Sequence, residues 1–191
     1  QLQGVSDGQL RVGAMDGHAD GVLPDFIQAV AARHPGVLLE IDVVSTDEAT
    51  RLLLAGEVDL ALAFNLRAQR ELHLLWTTDL PLGCAMAPGH ALAQTAALSF
   101  KDVVAWPLAV QSRALAIRRY LERRHAWLLQ EARPPLVTNS LQLVKSLVRQ
   151  GSHVALTSEL DVGPEILAGS VVFVPLQDHN AAPQTVGVAI S

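Results

Sequence analysis

The sequence has little of several things that define other protein classes. It holds one cysteine, Cys84, in 191 residues. No disulfide can form within the chain, so the fold must stand on its apolar core, and the usage fits a reducing compartment. No apolar run approaches the ~20 residues that a membrane-spanning helix needs. The opening Gln1-Leu2-Gln3-Gly4 has neither the basic nor the apolar region of a signal peptide. A cytoplasmic location is therefore expected, with no membrane partner. Positive charge is also short: the formal net charge is −5. Direct nucleic-acid binding rests on Lys and Arg neutralising phosphates, so an acidic chain is a poor candidate for it. The densest basic stretch, Arg118, Arg119, Arg123, Arg124 and His125, has helical spacing and reads as a solvated face.

The chemistry-bearing motifs of enzymes are missing too. The seven histidines are scattered, without HExxH or paired metal-ligand spacing. There is no GxSxG elbow, no P-loop and no GxGxxG. Cys84 stands in an expected crossover strand without a His/Asn signature, and reads as a buried, inert thiol. Trp76, Trp106 and Trp127 are too far apart in sequence to read as a stacking cage. The expectation is no enzyme, no metal and no cofactor.

What the chain does have is apolar material: half its residues are hydrophobic and 17% are charged. That composition is enough for a packed core and excludes disorder. The pattern alternates strand and helix. Leu10 to Met15 reads as a strand, followed by turn and cap types at Asp16-Gly17-His18. Leu23, Phe26, Ile27 and Val30 lie on one face of a helix, with Pro24 in its first turn and His34-Pro35-Gly36 as its stop. Val37 to Val44 alternates as a second strand. Ser45 and Glu48 form a capping box for a helix buried through Ala49, Leu52 and Leu53 and stopped by Gly56. Val58 to Phe64 is nearly continuous in apolar residues, as the inner strand of a parallel sheet is.

The grammar restarts after Leu80. Strands are expected at Leu82 to Ala87, Leu108 to Gln111, Val137-Thr138, His153 to Thr157, Val171 to Leu176 and Thr185 to Ile190. Helices are expected at Ala114 to Arg124, at Glu165 to Ala168, and after Asn139 or Ser140, with Leu143, Val144, Leu147 and Val148 inward and Gly151 as the stop. The fold class is α/β: two Rossmann-like lobes joined by two crossover strands. Lobe I would comprise 1–80 and 175–191, and lobe II 81–174. Ligands of open α/β sheets bind beyond the carboxyl ends of the strands, and hinge closure of the lobes is the expected motion.

Five segments then resemble one family. Gly8-Gln9-Leu10-Arg11-Val12-Gly13 with Leu23-Pro24, His34-Pro35-Gly36-Val37-Leu38-Leu39, Leu54-Ala55-Gly56-Glu57-Val58-Asp59-Leu60-Ala61-Leu62, Ala87-Pro88-Gly89-His90-Ala91-Leu92-Ala93, and Leu147-Val148-Arg149-Gln150-Gly151-Ser152-His153-Val154-Ala155-Leu156 follow the order and spacing of the effector-binding domain of LysR-type transcriptional regulators. Ala91 replaces a proline of the family pattern, Ser152-His153 replaces a small pair, and Ser158 stands where proline is common. The resemblance implies a type II periplasmic-binding-protein-like fold and a small-molecule effector in the interlobe cleft. It implies a homodimer, a tetramer in the full-length form, and DNA contact only through an N-terminal winged helix-turn-helix that is absent from this chain. The dimer surface it implies sets the helix around Phe26 to Val30 against a partner's segment near Asp47 to Leu53. The alternative is a periplasmic solute-binding protein for a small polar metabolite, which shares the architecture.

The resemblance carries the effector contacts to Asp16, Gly17 and His18; to Phe64 and Asn65; to Ser112 and Arg113; to Asn139 and Ser140; and to Thr157. Each has a second reading. Asp16 or His18 also suits a structural cap, and Asn65 a turn residue in the left-handed region. Arg113 can fork onto a carboxylate or stay a surface arginine. One of Asn139 and Ser140 is expected to cap a helix while the other meets ligand. An inward Asp16 favours a ligand bearing an amine or hydroxyl over a bare anion.

Overall fold

A computed structural model describes residues 8–111, 123, 126, 136–177 and 184–191. The chain forms two compact units, Gln1–Thr78 with Thr185–Ser191, and Asp79–Gln184. The second crossing lies after Gln184, later than the position near Pro175 suggested by pattern, because strand Val172–Pro175 pairs inside the second sheet.

The first unit opens with β1 (Gln9–Ala14), the short helix α1 (Asp16–Ala19), α2 (Leu23–Arg33), β2 (Leu38–Val43), α3 (Thr46–Leu54) and β3 (Leu60–Phe64). Then come β4 (His73–Leu80) and, at the far end of the chain, β10 (Gln184–Ile190). The sheet order is β2-β1-β3-β10-β4, with β1 parallel to β2 and β3, and β10 antiparallel to β3. Residues 61–64 of β3 are buried, as an inner strand requires. Strand β2 lies at the sheet edge, and the alternation expected there stops short: Leu39 and Ile41 are half-buried, while Val43 is 51% exposed. Likewise α2 buries Leu23 and half-buries Phe26 and Val30, but leaves Ile27 at 41% exposure. The Ser45 hydroxyl accepts from the amide of Glu48 at 3.2 Å, which is half of the expected capping box. The Glu48 carboxylate turns instead to the Arg51 guanidinium at 2.6 and 2.9 Å. Gly56, at φ +72°, ends this helix in the left-handed region, where a Cβ would be strained. Strand β4 has no apolar alternation to announce it, being exposed along most of its length.

The second unit comprises β5 (Leu82–Met86), α4 (Phe100–Val104), β6 (Leu108–Gln111), β7 (Leu136–Thr138), α5 (Leu141–Gln150), β8 (Val154–Ser158), a 3-10 turn (Glu159–Val162), α6 (Gly163–Ala168) and β9 (Val172–Pro175). The sheet order is β7-β6-β8-β5-β9; β6 is parallel to β7 and β8, and β5 antiparallel to β8 and β9. Every residue of β5, β6 and β8 is buried, because both faces of this sheet are covered. Leu82, Met86, Phe100, Val103, Val110 and Leu156 pack into one cluster, and Ala85, Ala109, Val144, Val148, Ala155 and Val162 into another. Cys84 belongs to this sheet rather than to a crossover strand. Burial pushes its thiol up to about 12, which makes it a poor nucleophile. A capping box unmarked in the sequence reading starts α4: Ser99 Oγ accepts from the Asp102 amide, and Asp102 accepts from the Ser99 amide. Gly151, at φ +82°, ends α5 as expected.

Helix α5 departs from expectation on one face. Its buried residues are Leu141, Val144, Lys145 and Val148, while Leu143 is 44% exposed and Leu147 half-buried. The helix is rotated so that a lysine points into the unit. The expected helix Ala114 to Arg124 lies, residue 123 excepted, outside the described residues.

Candidate functional site: the strand ends of each unit

Parallel pairing decides which residues meet. In the first sheet Ala14 stands opposite Leu62, so the chain leaves β1 at Met15-Asp16-Gly17 on the edge where β3 ends in Phe64-Asn65. Helix α3 starts on that edge too, since the amide of Val44 donates to the carbonyl of Ala14 at 2.8 Å. Antiparallel β10 brings its first residues, Gln184 and Thr185, to the same place.

Asp16 is half-buried and is the first residue of α1, whose N-cap is Met15 without a side-chain bond. It is therefore not the N-cap that one reading of the sequence made it. Its side chain makes no hydrogen bond among the described residues. Gly17 is buried, and the side chain of His18 lies outside the described residues. Phe64 is 2% exposed, and its carbonyl accepts from the Thr46 hydroxyl at 3.0 Å. Asn65 has φ +52°, the non-glycine residue with positive φ among those described. Its Oδ1 accepts from the Thr185 amide at 3.0 Å, and its own amide donates to the Thr185 carbonyl at 2.8 Å. So Asn65 fills the turn role, leaving its side-chain NH2 as the group with bonding capacity to spare.

In the second unit β6, β7 and β8 run parallel, so they end at Gln111, Thr138 and Ser158 on one edge, with Asn139 next after β7. Ser112 and Arg113 lie outside the described residues. Ser140 is the N-cap of α5: its Oγ accepts from the Leu143 amide at 3.1 Å, and its amide donates to Thr138 Oγ1 at 3.1 Å. Asn139 beside it is exposed. The pair thus divides into a cap and an exposed amide. Thr157 is 1% exposed and its hydroxyl donates to Asp161 Oδ2 at 2.5 Å. In this conformation Thr157 faces the interior rather than solvent.

Behind these ends lie Ser158, a weaker candidate beside Thr157, and charged residues that carried no site signal. Ser158 Oγ donates to the same Asp161 Oδ2 at 3.3 Å. Burial pushes the Asp161 carboxyl above the ordinary range, against hydrogen bonds from Thr157 and Ser158 and the attraction of Lys145. Lys145, at 0% exposure, pairs with Glu165 Oε1 at 3.1 Å, and Arg149 approaches the same oxygen at 3.6 Å. The signal for Lys145 was its place in the i, i+3, i+4, i+7 stripe Leu141, Val144, Lys145, Val148. Thr46, Thr185 and Gln184 gave no sequence signal, since only pairing brings them to Phe64 and Asn65.

This two-sheet α/β arrangement, with its polar groups gathered at parallel strand ends, defines a ligand-binding class of fold. Comparison places the chain within it. The family model for the LysR substrate binding domain matches residues 3–191, and the chain belongs to that family. A RuBisCO operon transcriptional regulator of Allochromatium vinosum is 26% identical over 157 residues, covering 82% of this chain and 52% of that protein. The chain thus spans about half the length of the curated relative it matches. Among solved structures, full-length OxyR from Pseudomonas aeruginosa, in a variant form, superposes with a TM-score of 0.77 at 18% identity, covering 99% of this chain and 61% of that one. The effector-binding domain of QuiR, in complex with shikimate, superposes at 0.74 with 14% identity, covering 96% and 87%. These likenesses show the periplasmic-binding-protein-like type II fold.

Proposed function

We propose that the chain is the effector-sensing part of a bacterial transcriptional regulator and that its strand-end residues meet a small molecule. The observation that carries this reading is the family match over residues 3–191. The strand ends support it, because they gather polar groups that core packing does not need. Asp16 and the side-chain NH2 of Asn65 are open in the first unit, and Asn139 with the capped N-terminus of α5 in the second. Gly17, His18, Phe64, Ser112, Arg113, Ser140 and Thr157 complete the proposed contacts. Of these, Thr157 takes part only after its bond to Asp161 rearranges.

An acid at Asp16 and an amide donor at Asn65 suit a ligand with both an amine or hydroxyl and an oxygen acceptor. The domain performs no chemistry on that ligand. It responds through population shift: the effector favours the conformation it binds more tightly. In the whole protein that bias would pass to a homodimer or tetramer, and through a winged helix-turn-helix to DNA in the cytoplasm. Family membership favours this reading over import of a solute. No helix among the described residues is long and apolar enough to cross a membrane.

Fusing the chain to a heterologous dimeric DNA-binding domain and a reporter promoter tests the sensing role. Effector-dependent reporter output is the result expected. Output unchanged by any compound that binds the domain counts against the proposal.

A further inference from the structure

Gln184 opens β10, the strand that returns to the first sheet. It is 1% exposed, yet neither Nε2 nor Oε1 of its side chain has a hydrogen-bond partner among the described residues. Rotating the amide by half a turn exchanges the two atoms and pairs neither. Buried polar side chains almost always find partners, because an unpaired one forfeits the hydrogen bonds it had in water. Packing alone favours an apolar residue at this position, as it does at Val186, two residues on and 4% exposed.

The register of the sheet places this amide. Alternate residues of a strand share a face, and Val186 stands opposite Phe64 in the antiparallel pairing of β10 with β3. Gln184 therefore lies on the Phe64 face, one pleat further toward the edge where β3 ends. The next residue, Thr185, bonds Oδ1 of Asn65 through its amide at 3.0 Å. So Gln184 stands beside Phe64 and Asn65, on the edge to which β1 also delivers Asp16.

We infer that Gln184 is a specificity-determining residue of the effector site. Its carboxamide takes a neutral ligand edge in which a donor stands beside an acceptor, as in a carboxamide, lactam or ureide, and selects against a carboxylate there. The inference rests on the sensing role proposed above and names the chemistry of one edge of the ligand. The Gln184 amide offers a donor and an acceptor side by side. A ligand edge with the complementary acceptor and donor satisfies both. A carboxylate accepts from Nε2 but has no proton for Oε1, so that oxygen stays unpaired and faces a like charge. Asp16, an acid on the same edge, acts in the same direction.

The test compares the intact chain with Gln184→Met, each alone and with matched probes: glutamine and glutamate, nicotinamide and nicotinate, benzamide and benzoate. Without a probe, Gln184→Met is expected to melt at or above the parent temperature, because it removes two unpaired buried groups and keeps the length of the side chain. With probes, at least one carboxamide is expected to bind the parent about tenfold or more tightly than its carboxylate by calorimetry, and Gln184→Met to lose that preference. In the parent alone, the Gln184 side-chain NH2, assigned by correlation to its own Cγ, is expected to shift in the NMR spectrum when that carboxamide is added. A probe-free Gln184→Met that melts several degrees below the parent overturns the proposal whatever binds, since the amide then has a structural partner. Equal affinities within every pair, a preference that survives in Gln184→Met, or an unmoved Gln184 NH2 overturns it and leaves the sensing role standing. So does failure of every carboxamide while a wider screen of carboxylates, amino acids and amines finds a ligand. No ligand in either set overturns both.

Discussion

The amide of Thr185 donates to Oδ1 of Asn65 at 3.0 Å, across 120 positions of sequence. Asn65 stands at the end of β3 and Thr185 near the start of β10, so this bond fixes where the returning strand joins the first sheet. Asn65 also carries φ +52°, a left-handed backbone that asparagine tolerates better than alanine. Asn65→Ala loses both the acceptor and that tolerance, and is expected to cost about 2 kcal/mol. Asn65→Gly keeps the backbone freedom and loses only the acceptor, so it is expected to cost less, about 1 kcal/mol. Urea denaturation of the two variants checks the order. Equal losses would mean that the backbone conformation contributes nothing.

Lys145→Met is expected to destabilise the chain by about 3–5 kcal/mol, because it removes the cation paired with the buried Glu165 carboxylate. Glu165→Gln added to Lys145→Met removes that carboxylate's charge and is expected to recover part of the loss. A double variant less stable than the single one, in urea denaturation, would contradict the pairing of Lys145 with Glu165.

Gly83 has no room for a side chain. A Cβ there would meet the Phe173 ring at 2.3 Å, since β5 and β9 pair side by side. Gly83→Ala is expected to cost about 1–3 kcal/mol by overpacking. The same substitution in a Phe173→Ala background is expected to cost less. A thermodynamic cycle by urea denaturation checks this, and an unchanged cost would locate the strain elsewhere.

Acid destabilises through other carboxylates. Asp59 is held below the usual range by hydrogen bonds and attraction from Arg11, whose Nη2 lies 3.1 Å from Oδ1. Its folded pKa lies below its unfolded value, so its stabilisation is complete above the unfolded pKa of about 3.9 and is lost as pH falls through the folded value. Asp59→Asn is expected to be less stable than the parent near neutrality, with the gap closing below pH ~4. Denaturation midpoints across that range check the window. A constant gap would mean that the Arg11 contact is indifferent to charge.

Much of the fold was legible because its signals were local. The continuous apolar run of β3, the Ser45 and Ser140 caps and the stops at Gly56 and Gly151 all follow from nearest-neighbour chemistry. Strand β4 was not legible, because its exposed residues carry no alternation. Nor was the charged interior of the second unit. Lys145 sits on the apolar stripe of α5, but its partner Glu165 comes from a segment that only the fold brings beside it. The strand-end residues fall between these cases. Asn65 and Ser140 were readable as types suited to turns and caps, while Thr185, which completes the Asn65 turn, was not. Pairing, rather than composition, decides which side chains share an edge.

The measurement that bears most directly on the sensing role is a thermal-shift screen of the chain against small carboxylates, amino acids, amines and aromatic acids. It is repeated on Asp16→Ala and Ser140→Ala, the latter corrected for the cap loss of about 1 kcal/mol. A ligand that binds only the folded form raises the melting temperature by mass action. The predicted result is stabilisation by at least one compound class, lost in both variants. Stabilisation by no class, or by a compound indifferent to both substitutions, would contradict effector binding at these strand ends.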